Sequence, residues 1–171
     1  YLGGLITVAE AARNVVCAGG RPLALTDGMN YGSPEKPEIF WQIKESVRGM
    51  AVACEFLSLP VTGGNVSLYN ESGGESIYPT PIIGMVGLIE NLHHVTPSNF
   101  QSLGDQIWLL GETFAELEGS CYQEIRASRV FGNAPKLELD REKRLQEAVL
   151  LAIKSGLVSS AHDISLSLIH I

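Results

Sequence analysis

Over residues 1–94 the sequence predicts an α/β layer domain, and beyond a linker at 95–104 it predicts the start of a second unit running through 105–171. Two amphipathic helical stretches alternate with apolar runs of strand length before the linker. A fresh apolar run opens directly after it. A Gly-, Asn- and Ser-rich insertion sits between two of the apolar runs, where α/β folds place ligand loops.

From residue 5 to 18 the apolar side chains Leu5, Val8, Ala9, Ala12, Val15 and Val16 recur at helical spacing, and Gly19 with Gly20 supplies a stop. PLALTD, residues 22–27, reads as a short buried strand ending in an acid, and GMNYGSPEKP, residues 28–37, as a loop. Ile39, Ile43, Val47, Met50, Cys54 and Leu57 then step by three or four, giving one apolar stripe that ends before Pro60. VTGGNVSLYNESGGESIYPTP, residues 61–81, reads as a functional loop or hairpin. PIIGMVGLIE, residues 81–90, is a strand apolar on both faces, which predicts a central place in its sheet. Past the linker, QIWLLGE (106–112) reads as a strand, residues 142–155 as an amphipathic helix, and LVSSAHDIS (157–165) as a last strand. The segment before residue 139 reads as irregular.

Composition narrows the function. With 45% hydrophobic and 18% charged residues, the 171-residue chain has the makings of a packed core, and no apolar run approaches the ~20 residues that span a bilayer. The net charge of −7, from 12 basic and 19 acidic side chains, leaves no basic face for a phosphate backbone, so neither nucleic acid nor membrane is an expected partner. A nucleotide is still compatible, because Mg²⁺ and backbone N–H groups neutralise phosphates locally. Cys17, Cys54 and Cys121 are an odd, widely spaced set without a CxxC pair, which fits a reducing cytoplasm. Cys17 and Cys54 fall on apolar helix faces and read as small buried hydrophobes. The chain starts at Tyr1, without an initiator Met, and enters a helix at once, which reads as a piece of a longer protein.

Two polar positions stand at the ends of the expected strands. Asp27 ends the first, and Gly63-Gly64-Asn65-Val66-Ser67 leaves the second. Glycines let backbone N–H groups approach an anion closely. Asn65 offers a carboxamide oxygen to Mg²⁺, and the Ser67 hydroxyl can reach a phosphate oxygen. A turn or cap at Asp27 and a plain hairpin at GGN explain the same residues, and on spacing alone they explain them better. Neither GxxxxGK[ST] nor GxGxxG occurs. His93 and His94 lie in the linker and read as solvated. His162 and Asp163 read as packing or capping, with a metal contact as the alternative. Glu71 and Glu75 flank a turn and read as solvent-facing, and Arg13 and Arg21 as an exposed face or phosphate contacts.

The strings VAEAARNVVCAGGRPLALTDGMNYGSPEKPEIFWQI, VTGGNVSLYNESGGESIYPTPIIGMVGLIE and SAHDIS, in this order between Gly3 and Ser165, closely resemble the second half of the synthetase subunits of the phosphoribosylformylglycinamidine synthase family, small bacterial type. These belong to the aminoimidazole ribonucleotide synthetase superfamily. The resemblance implies an α/β N-terminal-type domain, present in part, followed by the start of an α+β C-terminal-type domain. It implies that Asp27 and Gly64 contact ATP, that Asn65 binds Mg²⁺ and that Ser67 contacts the substrate. The implied reaction joins formylglycinamide ribonucleotide and ammonia at the expense of ATP, in purine biosynthesis. Ammonia would come from a glutaminase subunit, with a small bridging subunit as a further partner. The family's catalytic histidines and further metal carboxylates belong to its first half, so no catalytic residue is assigned in this chain. The family continues Asp-Val-Ser with Glu-Gly-Gly-Leu, whereas Ser165 here precedes Leu-Ser-Leu-Ile-His-Ile, which leaves the role of Asp163 open. The SPEKPE loop favours this family over aminoimidazole ribonucleotide synthetase or selenophosphate synthetase. A non-catalytic nucleotide-binding scaffold is the alternative from another class.

Overall fold

The computed structural model describes residues 1–164. Helix α1 (Leu2–Cys17) is followed by strand β1 (Arg21–Asn30), helix α2 (Pro37–Leu57) and strand β2 (Val61–Ser67). A two-residue hairpin, β3 (Glu71–Ser72) with β4 (Glu75–Ser76), leads to strand β5 (Thr80–Leu88). A 3₁₀ turn (Leu92–His94), helix α3 (Cys121–Ala127) and helix α4 (Leu139–Lys154) complete the described elements.

β1, β2 and β5 form one sheet in the order β2-β1-β5, with β1 parallel to β2 and antiparallel to β5. The helices α1 and α2 cover one of its faces. Leu5, Val8 and Ala12 of α1 and Ile39, Met50, Ala53 and Cys54 of α2 close on Leu25, Met29 and Tyr31, with Ile83 and Met85 of β5 packed alongside. At ~25 cal/mol per Å² of apolar surface removed from water, this shared core is the main stabilising term.

Both helices end as their sequence dictates. Gly19 takes φ +90° after α1, a conformation that costs a side chain dearly, and the N–H of Gly20 returns to the Val15 carbonyl at 3.0 Å. Pro37 opens α2 where its missing N–H costs nothing, and Ser58 closes it in the left-handed region. The two helices cross with their backbones nearly touching. A Cβ on Gly4 would collide with the Ser46 carbonyl and lie 3.2 Å from the Met50 nitrogen.

Several expectations are corrected. β1 runs on to Asn30 because it has a partner on each side, Ser67 and Thr80, and this outweighs the poor strand preference of Gly28 and Asn30. GGNVS is itself strand β2 rather than loop. β1 is central, and β5 is an edge among the described residues. The outward apolar residues of β5, Ile82 at 59% and Val86 at 62% exposure, lie on the sheet's open face rather than in a second core. No strand forms at 106–112, where Ile107 and Trp108 are 78% and 76% exposed, nor at 157–164. Neither segment has a neighbouring strand among the described residues to take up its backbone N–H and C=O groups, and a strand without a partner is not stable. Ser165 and the divergent tail lie outside the described residues. The helix expected at 142–155 begins at Leu139, and the preceding stretch holds the short α3.

Arg13 faces inward rather than to solvent. Its Nε donates to Glu142 Oε1 at 2.8 Å, and Gln146 Nε2 donates to the same oxygen at 2.8 Å and to the Ala9 carbonyl at 3.2 Å. With Glu142 and Gln146 almost fully buried, this polar knot holds α4 on α1.

An alanine in an exposed helix normally stabilises over glycine by about 1 kcal/mol. At Gly4 the added methyl meets the α2 backbone, so Gly4→Ala is expected to destabilise by about 1–3 kcal/mol in urea unfolding. A gain in stability would contradict the close helix contact.

Candidate functional site

The pairing of β1 with β2 sets Asp27 directly against Gly64, Gly28 against Asn65 and Asn30 against Ser67. Residues 37 or more positions apart in sequence thus become neighbours across one parallel ladder. Asp27, Gly64 and Asn65 do so within the strands rather than at strand ends as the sequence suggested, whereas Ser67 is the last residue of β2. Gly64 is required there, because a Cβ on it would collide with the Asp27 carboxylate and carbonyl.

The pleat then divides the side chains. Asp27 is two residues from each of the buried Leu25 and Met29, so it shares their face and leaves the sheet on the helix-covered side. Its charge, after burial itself, pushes the thiol of Cys54 and the hydroxyl of Tyr31 above their usual pKa. Asn65 leaves on the open face, where its Oδ1 would lie 3.3 Å from a Cβ on Gly28. Strand alternation puts Ser67 on that same open face. The Asp27 carboxylate and the Asn65 carboxamide therefore flank Gly64 from opposite sides of the sheet. On the open face a shallow groove of about 380 Å³ is lined by Thr26, Asp27, Gly28, Gly64, Asn65, Ile82 and Gly84. That volume lies within the usual range for small-ligand sites. Thr26, Gly28, Ile82 and Gly84 were missed in the sequence, although the period-two spacing from Gly28 and Ile82 marks them as one face. β2 is an edge strand among the described residues, so half of its N–H groups point outward beside Gly63, where a Cβ would meet nothing within 4 Å. A second hollow of about 410 Å³, lined by Ala51, Cys54, Glu55, Ser58, Leu59, Pro60 and Val61, is mostly apolar.

The exit from β2 is stitched to the loop after β1. The N–H groups of Tyr31, Tyr69 and Asn70 donate to the carbonyls of Ser67, Gly32 and Tyr31 at 3.0, 3.1 and 3.1 Å. Lys36 Nζ reaches Glu71 at 3.3 Å and Ser76 Oγ at 3.2 Å, so Glu71 has a partner rather than only solvent. Nothing in the sequence pattern marks Asn70, whose carboxamide bonds back to Tyr31 and Ser67.

The remaining candidates lie elsewhere. His93 is exposed and His94 half-buried in the 3₁₀ turn. Arg21 lies 3.8 Å from Glu90, half-exposed. Asp163 is 3% exposed, with the His162 imidazole 3.2 Å from its Oδ1, and its charge bears on Arg13 and Cys17. Burial first, and this charge second, push the Cys17 thiol up to about 11, which keeps it protonated and unreactive near neutral pH. Among the described residues no group of three or more His, Cys, Asp or Glu side chains could hold a metal by itself, and no helix is long and apolar enough to cross a membrane.

Comparison with known proteins places this geometry. Residues 1–89 match the family AIR synthase related protein, N-terminal domain. The chain is similar to the solved structure of phosphoribosylformylglycinamidine synthase II from Thermotoga maritima, with 28% identity and a TM-score of 0.61 over 91% of this chain and 22% of that one. T. maritima PurL in complex with FGAR matches at 28% identity and TM-score 0.62, over 91% of this chain and 21% of that one. Its complex with AMPPCP gives the same identity and score over 91% and 22%. PurLQS from T. maritima matches at 37% identity and TM-score 0.52, over 58% of this chain and 16% of that one. The chain thus spans about a fifth of the length of the PurL structures it matches. With residues 1–89 of 171 inside the family match, this chain belongs to the AIR synthase related proteins and carries their N-terminal domain.

Proposed function

We propose that this chain supplies one wall of the nucleotide and substrate site of an ATP-dependent synthetase that converts formylglycinamide ribonucleotide to formylglycinamidine ribonucleotide. The observation that carries the reading is the pairing of Asp27 with Gly64, which gathers a carboxylate, a carboxamide and a glycine edge around one point of the sheet. Similarity to proteins solved with AMPPCP and with FGAR supports it.

In this reading Asp27 and Gly64 contact ATP, and a nucleotide that touches both faces crosses the free edge of β2 at Gly63 and Gly64. Outward N–H groups there suit phosphate oxygens, and no side chain stands over them at Gly63, where a Cβ would meet nothing within 4 Å. Asn65 would hold Mg²⁺ through its carboxamide oxygen. One oxygen ligand from this wall fits an ion that takes most of its shell from phosphates and water, and the ion would neutralise charge on the transferring phosphoryl group. Ser67 contacts the substrate. The formamide oxygen takes the γ-phosphoryl group and ADP leaves. Ammonia then adds to the activated carbon and phosphate departs, which leaves the amidine. This wall's residues bind and orient, and positioning together with charge neutralisation does most of the work in such transfers. A glutaminase subunit as ammonia source and a small bridging subunit are the proposed partners, in the cytoplasm. Residues 95–104 and 105–171 are proposed as the linker to, and the start of, a C-terminal-type domain.

Asn65→Ala in the complete synthetase is expected to lower kcat roughly 100-fold at saturating ATP and Mg²⁺, in line with the loss of one transition-state contact. Its melting temperature should stay near wild type, because the side chain is exposed. Unchanged turnover would favour a plain strand with no ligand role.

The isolated 171-residue chain is expected to release no phosphate from ATP with formylglycinamide ribonucleotide and ammonia, since one wall cannot enclose the reacting groups. Substrate-dependent turnover by this chain alone would overturn the composite site.

A further inference from the structure

The Ser67 hydroxyl is held by Asn70. The Asn70 carboxamide nitrogen lies 3.1 Å from the Tyr31 carbonyl and 2.9 Å from the Ser67 carbonyl, so each of its two hydrogens has an acceptor. Turned the other way, the amide would set its own oxygen against two carbonyl oxygens with no proton among them, and this fixes its orientation. With both hydrogens committed, the 3.1 Å approach of the same nitrogen to Ser67 Oγ carries little. What remains is the Ser67 hydroxyl donating to Asn70 Oδ1 at 3.2 Å. Tyr69, between them, is held at φ +61°, and the N–H of Ile77 returns to the Asn70 carbonyl at 3.2 Å. The residue that follows the β3–β4 hairpin thus anchors the backbone of Asn70.

We propose that Asn70 is a positioning residue that commits the Ser67 proton, so that Ser67 offers the site oxygen lone pairs alone and takes a ligand group that donates, an N–H or O–H. Rotation of the hydroxyl toward a phosphate oxygen would leave Asn70 Oδ1 without its donor. The inference rests on the reading of Ser67 as a substrate contact, and it narrows that reading. An ionised phosphate brings only acceptors, whereas the formylglycinamide and ribose parts of the substrate bring amide N–H and hydroxyl donors. It also replaces the phosphate contact that the sequence suggested for Ser67.

The test is steady-state kinetics of the complete synthetase with Ser67→Ala, Asn70→Ala and the double substitution. Each single change is expected to raise KM for formylglycinamide ribonucleotide about tenfold, the effect of one lost hydrogen bond, with KM for ATP and kcat within about twofold of wild type. The double substitution is expected to cost no more than the larger single one, because both remove the same contact. If Ser67→Ala leaves KM for the ribonucleotide unchanged, the reading of Ser67 falls and the proposal with it. If Ser67→Ala raises KM and Asn70→Ala does not, or the two effects add, the proposal alone falls. Hydrogen exchange in the wild-type chain needs no variant to fold. Both Asn70 side-chain amide protons are expected to exchange at least about tenfold more slowly than those of the exposed Asn65. Equal rates would overturn the fixed amide.

Discussion

The parallel pairing of β1 with β2 is the constraint on which the rest depends. It brings Asp27 against Gly64 with no room between them, and any side chain at 64 would force the two strands apart. The helix α2 makes this pairing possible, because a parallel neighbour requires a crossover that carries the chain back along the sheet. The apolar stripe of α2 therefore has a functional consequence. By burying Ile39, Met50 and Cys54 against Leu25 and Met29, it fixes the register that sets Gly28 beside Asn65. A one-residue slip of β2 would move Asn65 and Ser67 to the helix-covered face and take Asn65 out of the groove.

The sheet is covered on one side only by the described elements. On the helix side lies the core, with the Asp27 charge near its margin. The other side exposes Asn65, Ile82 and Val86 around a shallow groove. Glycine at 64 is required by the close approach of Asp27 across the ladder, whereas at Gly63, on the free edge of β2, a Cβ would meet nothing within 4 Å. The α4 segment is tied on through the buried contact of Glu142 with Arg13, beside the apolar packing of Leu139 and the buried Ile153. Breaking such a pair leaves a buried charge alone, so it specifies where α4 docks more than it adds to net stability.

The sequence made the helices legible because α1 and α2 each carry one unbroken apolar stripe with a glycine or proline at its boundary. It also made Asp27, Gly64, Asn65 and Ser67 legible as a set. Their arrangement was not legible. Strand pairing overrode the turn-like composition of Gly28-Met29-Asn30 and of Gly63-Gly64-Asn65, and face assignment depends on a pleat that composition does not reveal. Apolar content on both faces of β5 suggested a central strand, but an uncovered sheet face accepts such residues as well. Runs such as Ile107 to Leu110 have strand-like content and no partner among the described residues, and strand structure is a property of pairs. Arg13 and Asn70 were out of reach for the same reason. Glu142, the partner of Arg13, lies 129 positions away, and Tyr31, which with the nearby Ser67 holds Asn70, lies 39 away.

The most direct measurement of the central claim is a nuclear magnetic resonance titration of the 171-residue chain with Mg²⁺ and AMPPCP, followed through its backbone amides. The account expects the largest progressive shifts at Gly28, Gly63, Gly64 and Asn65, on the two strands that meet at Asp27. Shifts concentrated instead around the apolar hollow of Ala51, Cys54 and Val61, with Gly63 to Asn65 unmoved, would contradict it.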